Sequence, residues 1–211
     1  DGDNKSLVQK PASKETSLSY KGFSDGLTFM SQPLEEELEI TGPMASKLWV
    51  SSDTVDADLF LVFRIFTPDL KEITYQGALD PHTPIAQGWL RASQRKLDTK
   101  KSKPWRPYHT HDKKQPLKPG KIYELDVEIW PTCIVVPKGY RIGLSVRGKD
   151  YVYPGPVDSG LSNMKNTFTG VGPFLHDDQD DRPPKIFDNE ITLHFGKSQE
   201  PFIMLPIIPR V

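Results

Sequence analysis

The string Gly22-Phe23-Ser24-Asp25-Gly26 is the first candidate for chemistry, because G-x-S-x-G is the pattern of a nucleophile elbow and downstream histidines could complete a serine, aspartate, histidine order. An elbow needs a strand before its serine and a helix after it. Here a polar segment precedes, and Leu27 to Gln32, halted by Pro33, follows, so the string predicts a turn and not a nucleophile. Two further stretches, His109-Thr110-His111-Asp112 and His176-Asp177-Asp178-Gln179-Asp180-Asp181, carry metal-ligating atoms. Neither has the spacing of a calcium loop or the rigid elements of a zinc site, so they read as loop histidines and a solvated acidic loop. Trp105-Arg106-Pro107-Tyr108-His109 gathers aromatic faces and a guanidinium in one loop. Such a loop can stack on a sugar ring or a substrate side chain, or pack against another domain. Trp105, Tyr108 and His109 are therefore the candidate ligand or domain contacts, and the expectation is no catalytic residue, no cofactor and no metal.

The elements that would position these groups are strands. From Lys121 to Gly148, Tyr123, Leu125, Val127 and Ile129 alternate with Glu124, Asp126 and Glu128, and Ile142, Leu144 and Val146 alternate with Arg141, Gly143, Ser145 and Arg147. Trp130-Pro131 and Pro137-Lys138-Gly139 punctuate the piece between them. Asp58 to Phe66 is the most apolar run and predicts a central strand covered on both faces. Met44 to Ser52, Ile73 to Gly77, Gly88 to Ala92, Ile191 to Phe195 and Phe202 to Ile208 supply further strand candidates. Thr41-Gly42-Pro43 predicts a turn, Arg95 to Gly120 a loop, and Tyr151 to Asp188 a long segment rich in Pro, Gly, Asn and Asp that is functional or wraps a face. Residues 1–26 read as a polar linker or frayed terminus, and 27–211 as one all-β domain, a jelly-roll β-sandwich.

Composition narrows the function. A formal net charge of -1, from 27 basic and 28 acidic residues, provides no field to gather nucleic acid or an anionic membrane. The six basic residues between Arg91 and Lys103 lack interleaved aromatics and predict a solvated face. The 20 prolines suit short strands joined by long loops. Cys133, the single cysteine, excludes an internal disulfide and a four-cysteine zinc site, and its apolar surroundings predict a small buried hydrophobe. No stretch approaches the ~20 apolar residues of a membrane span, the start at Asp1 carries no signal peptide and looks processed or cut, and a cytoplasmic setting is the expectation.

Several motifs together resemble a known family. Pro33 to Pro43 (PLEEELEITGP), Leu48-Trp49-Val50-Ser51-Ser52 and Asp56-Ala57-Asp58-Leu59 look like the start of the C-terminal domain of the X-prolyl dipeptidyl peptidase and cocaine-esterase-like hydrolases. Gly88 to Arg95 (GWLRASQR) and Pro137 to Ile142 (PKGYRI) are similar to its middle, and Thr192-Leu193-His194 with Leu205 to Pro209 to its end. The resemblance implies a galactose-binding-like jelly roll. It also implies an α/β-hydrolase domain of the same parent polypeptide as partner, bearing a serine, an aspartate and a histidine that this chain lacks. In that family the jelly roll walls the active-site pocket and contributes to homo-oligomer contacts, so a non-catalytic accessory domain is the expectation. A carbohydrate-binding module using Trp105 and Tyr108 is the alternative that the aromatic loop raises.

Overall fold

A computed structural model describes residues 1–3, 5–8, 14–77, 80–156 and 168–209. It is a sandwich of two β-sheets, as the alternation predicts. The first sheet runs β1 (Ser6–Leu7), β3 (Leu27–Ser31), β9 (Arg141–Arg147) and β5 (Asp58–Phe66), with β6 (Glu72–Ile73) and β7 (Ala86–Arg91) both on the far side of β5. The second runs β2 (Thr16–Lys21), β10 (Glu190–Phe195) and β4 (Leu38–Ser52), with β8 (Tyr123–Val136) along the other edge of β4. Two short closing strands, β11 (Phe202–Met204) and β12 (Ile207–Ile208), also pair with β4. The two alternating runs on either side of Pro137 thus belong to different sheets: β8 pairs β4, and β9 pairs β3 and β5.

The core lies between the sheets, where alternate residues of each strand meet: Leu59, Leu61, Phe63 and Ile65 of β5, Leu125, Val127 and Ile129 of β8, Leu144 and Val146 of β9, Ile191 and Leu193 of β10. Each such side chain contributes about 1.5–3 kcal/mol by leaving water. The unbroken apolar run of β5 is explained by its other face, where Phe60, Val62 and Phe66 are also buried. There Tyr151, Arg182 and Phe187, all from the segment after β9, form a roof over the sheet. The wrapping role expected of Tyr151 to Asp188 holds for its described parts; residues 157–167 of that prediction lie outside them.

Three expectations are corrected. Within residues 1–26, read as a linker, Thr16 to Lys21 form a strand whose Leu18 and Tyr20 point inward while Ser17, Ser19 and Lys21 line the polar outside. Second, Thr41-Gly42-Pro43 is no turn, and Trp130-Pro131 does not interrupt its strand. β4 and β8 run through, and their register shifts between Gly42 and Met44, where Pro43 faces Trp130 and Pro131. Neither proline has an N–H to lose, and Gly42, at φ 135°, takes a backbone that side-chain-bearing residues avoid. The bulge places one extra residue on β8 and so reverses which face its side chains take. Leu125, Val127 and Ile129 point inward before it, and Thr132, Ile134 and Val136 after it.

The third correction follows from that reversal: Cys133 is exposed, its sulfur 3.3 Å from the Thr41 hydroxyl. The native protein is expected to react stoichiometrically with a thiol reagent without denaturant. A thiol that appears only on unfolding would contradict this placement.

Candidate functional site

An open cleft of about 670 Å³ lies on the outer face of the first sheet, at the edge where β7 meets β8. Its floor is set by strand register, because Phe60 lies directly opposite Trp89 and Asp58 opposite Arg91. One wall is Trp130, which β8 carries in phase with the outward-facing Glu124, Asp126 and Glu128. Trp130 is 62% exposed, and its ring meets that of Trp89 edge to face at 5.1 Å. The two strands approach this closely because residue 88 is glycine: a Cβ there would lie 2.0 Å from the Glu128 carbonyl oxygen.

The loop after β7 supplies the opposite wall with Tyr108, His109 and His111. It is held by the Leu97–His109 bridge and by Asp98, whose carboxylate accepts the N–H groups of Lys100 and Lys101. Tyr108 is exposed, with the Lys101 ammonium 4.7 Å from its ring centre. Burial, with His111 nearby, pushes the His109 imidazole below its ordinary value. Trp105 lies outside the cleft lining, on the exposed outer turn of the loop. The structure therefore brings together two of the three predicted contact residues.

The third side belongs to the roof. His176 sets its ring edge-on to Phe60 at 5.5 Å and donates from Nδ1 to Asp150 Oδ1 at 2.9 Å, while its backbone N–H reaches Asp150 Oδ2 at 2.6 Å. Arg182, 4% exposed, donates from Nε to Asp58, from NH1 to the His176 carbonyl and from NH2 to the Gly148 carbonyl. Arg91 grips Asp58 and Asp181 through paired hydrogen bonds of 2.8–2.9 Å, which raise its own basicity and hold the Asp181 carboxyl below its usual range. Of the acidic stretch after His176, Asp181 is thus tied to the cleft floor, while Asp177, Asp178 and Asp180 are exposed. Among the described residues no three His, Cys, Asp or Glu side chains cluster as a metal site would require.

The Asp150–His176 pair gives a pH signature. The Asp150 hydrogen bond raises the His176 value above 6.5, and although burial opposes charge on Asp150, the two hydrogen bonds from His176 leave it below 3.8. The histidine contribution is complete below pH 6.5 and fades as pH rises through its folded value; that of Asp150 is complete above pH 3.8 and is lost as pH falls through its own. The stability difference between wild type and His176→Gln is expected to shrink on the alkaline side, by about 1 kcal/mol or less because the ring is half exposed. A His176 ring titrating at or below pH 6.5 by NMR would contradict this.

The serine string does no chemistry of the elbow kind. Ser24 sits in the tight turn between β2 and β3, where its hydroxyl donates to the Lys21 carbonyl and accepts the Gly26 N–H at 3.2 Å. Asp25 pairs with Arg147. A serine–histidine contact does occur elsewhere, Ser51 Oγ lying 2.8 Å from His194 Nε2 across β4 and β10. Ser51 is buried, the adjacent cavity measures only about 40 Å³, and no carboxylate among the described residues hydrogen-bonds the other His194 nitrogen. The orienting group and substrate space of an activated nucleophile are both missing there.

Residues 1–199 match the profile of the family described as the X-Pro dipeptidyl-peptidase C-terminal non-catalytic domain. The chain belongs to this family. Provisionally named serine esterases of Mycobacterium bovis and Mycobacterium tuberculosis are each 30% identical over 129 residues, 59% of this chain and 19% of theirs. A CocE/NonD family hydrolase of Staphylococcus aureus superimposes on 99% of this chain with a TM-score of 0.81 and 22% identity, using 35% of its own length. An aminopeptidase of a marine-sediment thaumarchaeote gives 0.63 and 14% over 95% of this chain and 34% of its own. This chain therefore spans only a minor part of the proteins that it resembles. No helix among the described residues is long and apolar enough to cross a membrane.

Proposed function

We propose that this chain is the accessory β-sandwich of a serine hydrolase acting on acyl ester or X-Pro amide bonds. On this reading it packs on an α/β-hydrolase domain of the same polypeptide, helps to wall the active-site pocket and takes part in subunit contacts. The galactose-binding-like jelly roll that the family resemblance implies is part of the same reading. The observation that carries it is the family match over residues 1–199, and the spending of Ser24 on its own turn agrees with a non-catalytic part. The nucleophile, base and orienting carboxylate would lie elsewhere in the parent, where an acyl-enzyme forms and is hydrolysed.

The test is to prepare the parent polypeptide with and without this segment and to assay it on a chromogenic ester and an X-Pro arylamide. Loss of kcat/KM on deletion, with the acyl-enzyme still trapped slowly by an active-site titrant, is the expected result. Unchanged kcat/KM and unchanged stability without the segment would refute the reading. Which of the two substrates is turned over decides between esterase and peptidase.

A further inference from the structure

We infer that the cleft bounded by Trp130, Trp89, Tyr108, His109 and His176 is the seat on which this sandwich receives the hydrolase domain of its own polypeptide. The inference rests on the accessory-domain reading and adds to it the surface and the contacts. Elimination supplies the first argument. The outer face of the second sheet is polar, with Lys47 paired to Glu124 and Asp126, and Ser19 bonded to Thr192. Away from the cleft, the outer face of the first sheet is roofed by Tyr151, Arg182 and Phe187. The cleft is a concavity rimmed by exposed Trp130 and Tyr108, and at about 670 Å³ it is wider than the concavities of about 370 and 380 Å³ beside Tyr75 and beside Val152. A second exposed apolar group, Val135 and Ile208 on either side of Glu39, is flat sheet surface with no concavity.

The polar atoms supply the second argument. Gln94 and His109 line the cleft, and Gln94 Oε1 and His109 Nε2 are buried without a hydrogen-bond partner. Buried polar atoms are ordinarily satisfied, so at this wall Gln94 Oε1, an acceptor, lacks a donor and His109 Nε2 lacks a partner. The carboxylates of Asp58 and Asp181 are taken by Arg91 and Arg182, and Glu128 lies 3.5 Å from Arg106. No ion pair among the described residues includes Lys114, which lies near enough to Asp181 to favour its charge, and Nε2 of His176 is not engaged by Asp150. The seat therefore fits an apolar protrusion that sets a hydrogen-bond donor beside Gln94 Oε1 and a carbonyl or carboxylate beside Lys114 and His176, and disfavours a strongly basic one.

The size of the missing partner agrees. This sandwich corresponds to 35% of the Staphylococcus aureus hydrolase chain, so a larger body shares that polypeptide, and contacts between domains of one chain commonly bury about 600–1,500 Å².

The experiment compares the parent polypeptide with its Trp130→Glu and Ile208→Glu variants and with the parent lacking this segment, by calorimetry and by kcat/KM. We expect Trp130→Glu to split a single unfolding transition into two and to lower kcat/KM at least tenfold, and Ile208→Glu to leave both unchanged. If deletion abolishes activity but Trp130→Glu behaves as wild type, this surface is wrong while the accessory reading stands. If deletion is harmless, the accessory reading itself fails. Specific binding of a saccharide by the parent, lost in Trp130→Ala with calorimetry unaltered, would also overturn the proposal in favour of a ligand site.

Discussion

Replacing Arg182 by alanine is expected to destabilise the fold by about 3–5 kcal/mol, the range for removing one partner from a buried ion pair. Its side chain is 4% exposed and its guanidinium donates to three parts of the chain that are distant in sequence: Asp58 on β5, the Gly148 carbonyl after β9 and the His176 carbonyl in the roof. Its faces rest on Phe23 and Phe60 at 4.7 and 4.9 Å. Alanine takes this donor from the half-buried His176 carbonyl, leaves the Gly148 carbonyl only the Phe23 N–H at 3.3 Å, opens a void between the rings and leaves Asp58 to Arg91 alone. Lysine retains the charge but has no planar fork, so Arg182→Lys should recover only part of the loss. Urea unfolding measures both variants. A loss under about 1 kcal/mol for alanine would mean that the roof does not depend on this side chain. Since Arg182 holds the carbonyl of His176, the same variant should also loosen one wall of the cleft.

The second large effect is expected from Gly88→Ala. The added methyl would sit 2.0 Å from the Glu128 carbonyl oxygen and 3.0 Å from Ile129 Cα, and both are backbone of β8, which is tied to β4 along most of its length and cannot move alone. β7 must retreat from β8, at a cost of about 3 kcal/mol, the upper end of the usual range for overpacking. The retreat should separate Trp89 from Trp130, so the near-ultraviolet circular dichroism of this edge-to-face pair should change along with the midpoint of unfolding. Full stability with an unaltered tryptophan spectrum would show that the corner between the sheets is looser than described.

The strands of the core were legible because each of β5, β8, β9 and β10 keeps a clear alternation or a long apolar run. Missed features all depend on partners remote in sequence. Pro43 and Pro131 look like breaks until each is set opposite the other's strand, where their lack of N–H costs no ladder bond. The bulge they share could not be foreseen from β8 alone, and with it went the facing of Cys133. β2 reads as linker because its outward side chains are Ser17, Ser19 and Lys21, and only pairing with β10 gives Leu18 and Tyr20 a core to enter.

The cleft was half legible. Tyr108 and His109 stood out through the density of aromatic and basic groups in their loop, and Trp105 came with them although it faces elsewhere. Trp130 carries a legible signal of its own: it continues the outward series Glu124, Asp126, Glu128, so a tryptophan stands where a polar side chain is the rule. His176 was singled out for its acidic neighbours as a metal candidate, whereas its partner is Asp150, a residue 26 positions earlier.

The central claim, that this chain is the non-catalytic partner of an active site located elsewhere, is tested most directly by incubating it alone with a chromogenic ester and an X-Pro arylamide. The account predicts no saturable hydrolysis and no change on Ser24→Ala or Ser51→Ala. Saturable turnover abolished by either substitution would contradict it.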